Sequence, residues 1–215
     1  MARPSRKLEN ELRGKGFHLV AGVDEAGRGP LAGPVVAAAV IFPSEYKNAE
    51  IDNSKKLSEK KREKLLCDIE RAALSIGIGI VDADMIDKIN ILKATLLAMQ
   101  TAVENLSPRP DFLLIDGRDR LRIPIPQKAI IRGDSLCFSV AAASIVAKVT
   151  RDRIMNEYHI TYPDYGFTRH KGYGTSQHLQ KILEHGPCPI HRRSYAPVSA
   201  APQTEIRLDI RKVNT

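Results

Sequence analysis

Cysteine is scarce in this chain, and no long apolar run occurs. Its three thiols, Cys67, Cys137 and Cys188, are odd in number and widely spaced, without a Cys-x-x-Cys pair. This pattern argues against a zinc ribbon and against a disulfide framework, so we expect buried, unreactive thiols in a reducing compartment. No segment approaches the ~20 apolar residues that span a bilayer. Residues 1–16 also lack the apolar core of a secretory signal, so we expect a cytoplasmic protein.

The charge balance favours an anionic partner. Lysine and arginine number 33 against 25 acidic residues, for a net charge of +8. A basic excess of this kind is typical of nucleic-acid-binding proteins, although solubility alone also explains it. The length of 215 residues suits one domain with a hydrophobic core. We expect a single domain over 1–215, with an N-terminal extension at 1–16 and a polar tail at 203–215.

Apolar periodicity predicts strands that first follow one another and then alternate with helices. The predicted strands are 17–23, 35–42, 76–81, 112–116 and 127–131, and the predicted helices are 58–75, 84–105, 135–158 and 175–185. Ser58 and Ser135 are the expected N-caps of their helices. The first two strands, joined by a short loop, suggest a hairpin. This order predicts an α/β fold with a central mixed sheet flanked by helices, and a helical C-terminal part.

Four carboxylates fall at the predicted ends of these elements. Asp24 and Glu25 follow the first strand, Asp116 ends another, and Asp134 precedes a helix. Side chains at the carboxyl ends of strands converge, and crowded carboxylates raise one another's pKa unless a cation relieves the repulsion. Ligands that are all oxygen suit Mg²⁺ or Mn²⁺. Each acid taken alone also fits a turn or a cap. Asp152, which lies between two arginines, is interpreted as a local ion pair.

The glycine-rich segment 27–33 (GRGPLAG) is a poor dinucleotide-binding loop. Its third glycine comes one residue late for Gly-x-Gly-x-x-Gly, and Pro30 occupies the expected helix start. No Gly-x₄-Gly-Lys-Ser/Thr loop occurs either, so a nucleotide-binding oxidoreductase is disfavoured. Glycines beside carboxylates instead allow backbone amides to approach a sugar-phosphate closely, and Arg28 offers a phosphate contact.

Six sequence blocks resemble one known family. Residues 22–40 (GVDEAGRGPLAGPVVAAAV) resemble the opening motif of ribonuclease HII, the type 2 ribonuclease H family, in its bacterial form. The blocks at 53–58 (NSKKLS), 113–117 (LLIDG), 132–153 (RGDSLCFSVAAASIVAKVTRDR), 162–175 (YPDYGFTRHKGYGT) and 191–198 (HRRSYAPV) follow in the same order. The resemblance implies a ribonuclease H-like fold. It also implies an endonuclease that hydrolyses the RNA strand of RNA–DNA hybrids and nicks 5′ to single ribonucleotides in duplex DNA. Two divalent ions, Mn²⁺ or Mg²⁺, would assist the reaction, which would leave 3′-hydroxyl and 5′-phosphate ends.

The resemblance also implies roles for individual residues. The implied catalytic metal ligands are Asp24, Glu25, Asp116 and Asp134. The implied substrate-binding residues are Gly27, Arg28, Gly29, Tyr173, Lys55, Lys148, His170 and Lys171. The Gly-Arg-Gly element would read the ribonucleotide 2′-OH and the adjacent phosphate, because that hydroxyl separates RNA from DNA. Tyr173 would pack on the sugar after the cut, although a loop aromatic also serves as core packing.

Two positions depart from the family pattern. Asn53 stands where many relatives have Asp, and Tyr195 replaces a common Phe. Neither is expected to touch the metal ligands, but Asn53 could alter phosphate contacts made by Lys55. Arg28 and the short N-terminus argue against the sister family, ribonuclease HIII. Relatives suggest a monomer, and no sliding-clamp-binding peptide is evident in the tail.

One competing hypothesis is that the protein is not an enzyme. A basic RNA- or hybrid-binding module could carry a purely structural acidic cluster. The four carboxylates speak against it, because a protein that only binds gains nothing from acids that face phosphates.

Overall fold

The computed structural model describes residues 3–201, in which five strands form one mixed sheet in the order β3-β2-β1-β4-β5. The strands are β1 (Val20–Ala26), β2 (Val35–Ile41), β3 (Ser75–Val81), β4 (Phe112–Asp116) and β5 (Gln127–Ile130). β1 and β2 form the predicted antiparallel hairpin, and β3 adds antiparallel to β2. β4 and β5 continue parallel on the other side of β1. The expected mixed sheet is therefore confirmed.

Helices flank the sheet and make up most of the C-terminal part. They are α1 (Lys7–Arg13), α2 (Glu59–Ala72), α3 (Ala83–Ile89), α4 (Ile91–Glu104), α5 (Gly133–Leu136), α6 (Phe138–Thr161), α7 (Phe167–His170), α8 (Ser176–His185) and α9 (Ala196–Ser199). Ser58 caps α2 as predicted, and Thr175 caps α8. None of the helices among residues 3–201 is long and apolar enough to cross a membrane.

Three predicted boundaries were wrong. The single helix expected over 84–105 is two helices, because Asn90 adopts a positive φ of 69° and its side chain caps α4 at the Lys93 amide. Ser135 caps nothing, since it lies inside the short helix α5 and α6 begins at Phe138. β1 starts at Val20 and runs on to Ala26. The tail at 203–215 lies outside the described residues.

Two apolar layers enclose the sheet. Every residue of β2 is buried, and its side chains alternate between the two faces. Ala37 and Ala39 pack in the layer that contains α4, while Ala38 packs with α6 and α2. The expected close packing of 141–143 on the sheet is confirmed, since all three alanines are buried in that second layer. At Gly22 of β1, a Cβ would lie 2.2 Å from the Ser139 carbonyl carbon of α6, so only glycine fits there.

The thiols only partly follow the expectation. Cys137 and Cys188 are buried, and burial raises the pKa of each to about 12, which keeps them unreactive. Cys67 is exposed on α2, so its predicted burial was wrong. The described residues contain no disulfide, because all three cysteines are free.

Candidate metal centre and nucleic-acid interface

Parallel pairing of β1 and β4 brings the predicted carboxylates together. Val23 pairs with Ile115, so Asp24 and Asp116 are the next residues along two neighbouring strands. Side chains alternate along β1, which directs Asp24 towards the α6 face and Glu25 towards the α4 face. One oxygen from each of Asp24, Glu25 and Asp116 lies within 4.8 Å of the others, a spacing that fits a shared cation.

The ionised form of each of these three carboxylates is disfavoured by its surroundings. Burial raises the pKa of Asp24 well above its usual range, and the charges of Glu25 and Asp116 raise it further. Burial also raises the pKa of Glu25, against the opposing charge of Arg28, whose Nη1 lies 3.4 Å from Oε1. Burial and then the charge of Asp134 raise the pKa of Asp116. A divalent cation would relieve this repulsion, so the donor set fits a hard metal ion.

Asp134 lines the same cleft but is not one of the three converging carboxylates. Its chain segment is tied to the cluster, because the Gly133 amide donates to Asp116 Oδ1 at 2.6 Å. The Asn53 side-chain amide donates to Asp134 Oδ2 at 2.5 Å and to Ser135 Oγ at 3.2 Å. The expectation that Asn53 touches none of the proposed metal ligands was therefore wrong. The side-chain oxygen Oδ1 of Asn53 accepts from the Lys55 amide, so both the nitrogen and the oxygen of this side chain are hydrogen-bonded.

A cleft of about 260 Å³ holds most of the predicted site. Its lining residues include Asp24, Glu25, Gly27, Arg28, Gly29, Lys55, Asp116, Asp134, Lys148 and Tyr173. Four acids therefore share one cavity with three basic side chains and an aromatic ring. This combination can bind cations through the carboxylates and phosphates through the basic side chains.

Buried arginines that sequence reasoning missed shape the Gly-Arg-Gly turn. Gly27 has a φ of 100°, which favours glycine. Arg192 is fully buried and donates to the carbonyls of Gly27, Arg28 and Gly33. The Tyr195 hydroxyl also donates to the Arg28 carbonyl, at 2.8 Å. The block at 191–198 contained the only sequence signal for this clamp.

Arg151 also holds backbone carbonyls in place, in the segments next to the Gly-Arg-Gly turn and Tyr173. It is buried and donates to the carbonyls of Ala32, Pro34 and Lys171. Its guanidinium carbon lies 6.0 Å from the centre of the Tyr173 ring, and burial lowers its pKa to about 10. Tyr173 is 45% exposed, so its ring is available to a substrate rather than used for core packing.

Asp152 forms ion pairs, although not with the arginines beside it in sequence. Lys148 Nζ lies 2.5 Å from Asp152 Oδ1, and Arg62 lies 3.6 Å from Oδ2. The neighbouring Arg153 pairs with Glu63 instead. Lys148 is thus held at the cleft wall by a buried carboxylate.

Two of the predicted substrate-binding residues do not line the cleft. His170 is buried; its Nε2 donates to the Tyr165 carbonyl and its Nδ1 accepts from the Gly172 amide. Lys171 Nζ donates to Asn156 Oδ1 and to the Thr168 carbonyl. Both residues therefore fasten the loop that carries Tyr173. Direct nucleic-acid contact by His170 is not supported, because its ring nitrogens are already bonded inside the protein.

Comparison with known proteins agrees with this site. The family model described as ribonuclease HII matches residues 21–198. This chain belongs to the ribonuclease HII family. It is 57% identical over 197 residues to the ribonuclease HII of Syntrophus aciditrophicus, covering 92% of this chain and 93% of the relative. It is also 57% identical to that of Geobacter metallireducens, covering 89% and 90% of the two chains.

The fold agrees with a solved member of the wider group. The structure of ribonuclease H2 from Pyrococcus horikoshii OT3 superposes with a TM-score of 0.71 at 27% identity, covering 84% of this chain and 95% of that one. The predicted ribonuclease H-like fold is confirmed. As a ribonuclease HII, the protein is a hydrolase, and a metal-dependent endoribonuclease by family. The acidic cluster supports its use of a divalent metal.

Proposed function

We propose that this protein hydrolyses the RNA strand of RNA–DNA hybrids and also nicks duplex DNA on the 5′ side of a single ribonucleotide. The juxtaposition of three converging carboxylates with the Gly27–Gly29 turn and Tyr173 in one cleft carries this proposal. The cut would leave 3′-hydroxyl and 5′-phosphate ends. The activity is assigned to one catalytic domain formed by residues 1–215.

Asp24, Glu25, Asp116 and Asp134 would hold two divalent ions, Mn²⁺ or Mg²⁺. Bound ions of this kind activate water and stabilise the leaving oxygen. The contribution of the protein would be to hold four oxygen-donor side chains around one cleft before substrate arrives. Arg28 and Lys55 would draw the phosphate next to the cut into the cleft.

Recognition of the ribonucleotide would depend on the turn and the tyrosine. Arg192 fixes the carbonyls of Gly27 and Arg28, so the backbone of the turn is rigid where it meets the sugar. The exposed ring of Tyr173 would pack against the following sugar. A deoxyribose would lack the hydroxyl that the turn reads, and the cleft would leave it uncut.

The test is a 5′-labelled DNA duplex that contains one ribonucleotide, incubated separately with Mg²⁺ and Mn²⁺. A single nick is expected on the 5′ side of the ribonucleotide, and a polymerase should extend the upstream product without phosphatase treatment. An identical all-DNA duplex serves as control and should stay intact. If a long hybrid is cut but the single-ribonucleotide duplex is not, the proposed specificity is wrong.

A further inference from the structure

The cleft continues past the carboxylates into a groove that the assigned roles leave unused. A second cavity, of about 340 Å³, shares Glu25, Arg28 and Asp116 with the first. One of its walls is α4, and the other is the loop 117–122. A third cavity of about 290 Å³ shares Leu96 with the second and extends between the same two walls. We call these two cavities together the α4 groove.

Arginines dominate the lining of the α4 groove. The cationic lining residues are Arg28, Lys93, Arg118, Arg120, Arg122 and Arg132, and all six are exposed. Only the Arg28 side chain has an acidic partner, Glu25, at 3.4 Å. The side chains of the other five form no ion pair or hydrogen bond with any residue in 3–201. Asp119 is the only acid in this lining besides Glu25 and Asp116. The groove is therefore lined by an excess of exposed cationic side chains, five of which have no partner among residues 3–201.

Two of these arginines lie close in sequence to the proposed metal-binding residues Asp116 and Asp134. Arg118 follows Asp116 by two residues, and Arg132 precedes Asp134 by two. The ends of β4 and β5 are joined, because the Gly117 amide donates to the Ile130 carbonyl at 3.0 Å. Arg118 and Arg132 therefore emerge side by side from the strand ends that also position the acids.

Arg132 occupies an unfavourable backbone conformation. Its φ of 59° and ψ of 41° lie in the left-handed region, where glycine or asparagine is usual. Only the backbone of Arg132 takes part in the local turn, where its carbonyl accepts from the Ser135 amide at 3.0 Å. The arginine side chain forms no ion pair or hydrogen bond with any residue in 3–201. Its presence is better explained by a ligand outside the chain.

We propose that the α4 groove binds backbone phosphates of the substrate duplex on one side of the cut. This inference rests on the proposed function, since it takes the carboxylates as the cutting point. Five cationic side chains without partners, in cavities that adjoin that point, suit the repeated charge of a nucleic-acid backbone. The exposed faces of Leu92 and Ile131, at 42% and 59% exposure, would pack against sugars between the phosphates.

The first experiment measures binding without any cleavage. Binding of a fluorescent DNA duplex with one ribonucleotide is titrated in EDTA at several salt concentrations. The double substitution Arg118→Ala with Arg132→Ala should weaken binding about tenfold or more and reduce the slope of log K against log salt by about 2, since each phosphate contact contributes roughly 0.9. The matched control is Lys15→Ala with Lys47→Ala. These exposed lysines lie before β1 and after β2, at the opposite end of the hairpin from Asp24, so the slope should not change.

Arg132→Gly separates binding from folding. Glycine adopts the left-handed conformation without strain, so this variant should melt at or above the wild-type temperature while binding the duplex more weakly. A melting temperature that falls together with the affinity would assign Arg132 a structural role instead.

Shortening the duplex identifies the flank that the groove holds. Substrates are trimmed one base pair at a time on either side of the ribonucleotide, with neutral methylphosphonates as a second probe of each strand. The loss of affinity in the double variant should disappear when the duplex is trimmed on one side of the ribonucleotide. It should persist when the duplex is trimmed on the other side. An unchanged salt slope in the double variant, or a penalty independent of both arms, would overturn the proposal. If the wild type fails to cut but the salt and trimming effects remain, the proposed function fails and the binding groove stands.

Discussion

The side-chain amide of Asn53 donates to Oδ2 of Asp134 at 2.5 Å and so holds the one predicted ligand that stands apart from the other three. The neighbouring contact with Ser135 leaves this amide little freedom. Asn53 therefore acts as a positioning residue for Asp134. A charged acceptor gains about 1.5–3 kcal/mol from such a hydrogen bond.

Removing the Asn53 amide should impair turnover. In Asn53→Ala, Asp134 loses its donor and can rotate away from the cleft, so kcat should fall roughly tenfold to a hundredfold, the rate equivalent of that bond. Asn53→Asp places a second carboxylate against Asp134; it should lower the melting temperature without metal and increase the stabilisation that metal confers. Asn10→Ala, at an exposed position of α1, is the control. Wild-type turnover in Asn53→Ala would show that Asp134 needs no support.

Replacing a converging carboxylate by its amide should nearly abolish cleavage. Bound metal contributes several kcal/mol to the transition state, so Asp116→Asn should lose about a thousandfold or more in kcat. Hybrid binding should survive, because the substitution removes negative charge where phosphates approach. Single-turnover rates at saturating metal and filter binding measure the two effects. Asp164→Asn is the matched exposed control, and near-native turnover in Asp116→Asn would contradict the ligand assignment.

Metal should stabilise the folded protein. The cluster of Asp24, Glu25 and Asp116 carries repulsion that a cation relieves, so Mn²⁺ at about 100 times its Kd should add about 2.7 kcal/mol, or roughly 5–10 °C in Tm. Asp24→Asn should melt higher than the wild type in EDTA and gain less from Mn²⁺. Thermal scans with and without Mn²⁺ check both statements. No shift at millimolar Mn²⁺ would count against a shared site.

Tyr173 should matter most when only one ribonucleotide is available. Its ring is exposed in the cleft, and losing a sugar–aromatic contact should cost about 1–3 kcal/mol, by analogy with base stacking. Tyr173→Ala should therefore cut a single-ribonucleotide duplex about ten- to a hundredfold more slowly, and a long hybrid with a smaller loss, because many sites allow a productive pose. Tyr173→Phe keeps the ring and is the control. Equal losses on both substrates would make Tyr173 a general structural residue.

Arg192 should support both stability and the turn. Truncation in Arg192→Met removes the donors that Arg192 supplies to the carbonyls of Gly27 and Gly33, at about 1–3 kcal/mol each, so unfolding should become easier by several kcal/mol. The Arg28 carbonyl keeps its bond from the Tyr195 hydroxyl. Arg192→Lys keeps the charge but not the fork, so it should be intermediate in stability and should raise KM for the single-ribonucleotide duplex. Urea melts and steady-state kinetics measure these effects, with exposed Arg169→Lys as control. An unaffected KM in Arg192→Lys would limit Arg192 to folding.

Acid should destabilise the protein through two buried histidines. His178 Nε2 and His191 Nε2 lie 3.0 Å apart, and burial lowers the pKa of His178 to about 4 and that of His191 to about 3. Both rings stay neutral when folded but gain protons when unfolded below pH ~6.5. The unfolded state then binds more protons, so the free energy of unfolding falls with pH from about 6.5 towards 4, by up to about 2.7 kcal/mol per pH unit.

Urea melts between pH 7 and 5 test this slope. His178→Gln should be less stable at pH 7 but show a shallower fall, because one titrating ring is gone. His18→Ala, at an exposed position, should keep the wild-type slope. The ring of His170 stacks on that of His178, with 4.3 Å between their centres, and burial also lowers the pKa of His170. The pH dependence of a His170→Gln variant should therefore be measured as well. A flat profile in the wild type would exclude neutral buried histidines.

Local sequence sufficed for much of this protein. Short apolar segments located all five strands, and Ser58 marked the start of α2, because these signals depend on residues within one turn or one strand. The blocks around Asp24, Asp116 and Asp134 pointed to one cleft, and the structure places all three there. The convergence of carboxylates at strand ends is predictable, because the carboxyl ends of parallel strands lie at the same edge of the sheet.

Tertiary structure alone decided the contacts between distant segments. Asn53 meets Asp134 across 81 residues, and Arg192 reaches Gly27 across 165, so no local pattern could reveal either bond. The family resemblance implied that His170 binds substrate, whereas in the structure it packs against His178, bonds to the loop backbone and is buried. The break at Asn90 was missed because a positive φ stabilised by capping overrides a continuous helical period. The residue types indicated a carboxylate metal site and a nucleic-acid interface. Which donor bonds to each buried acceptor was determined only by the folded chain.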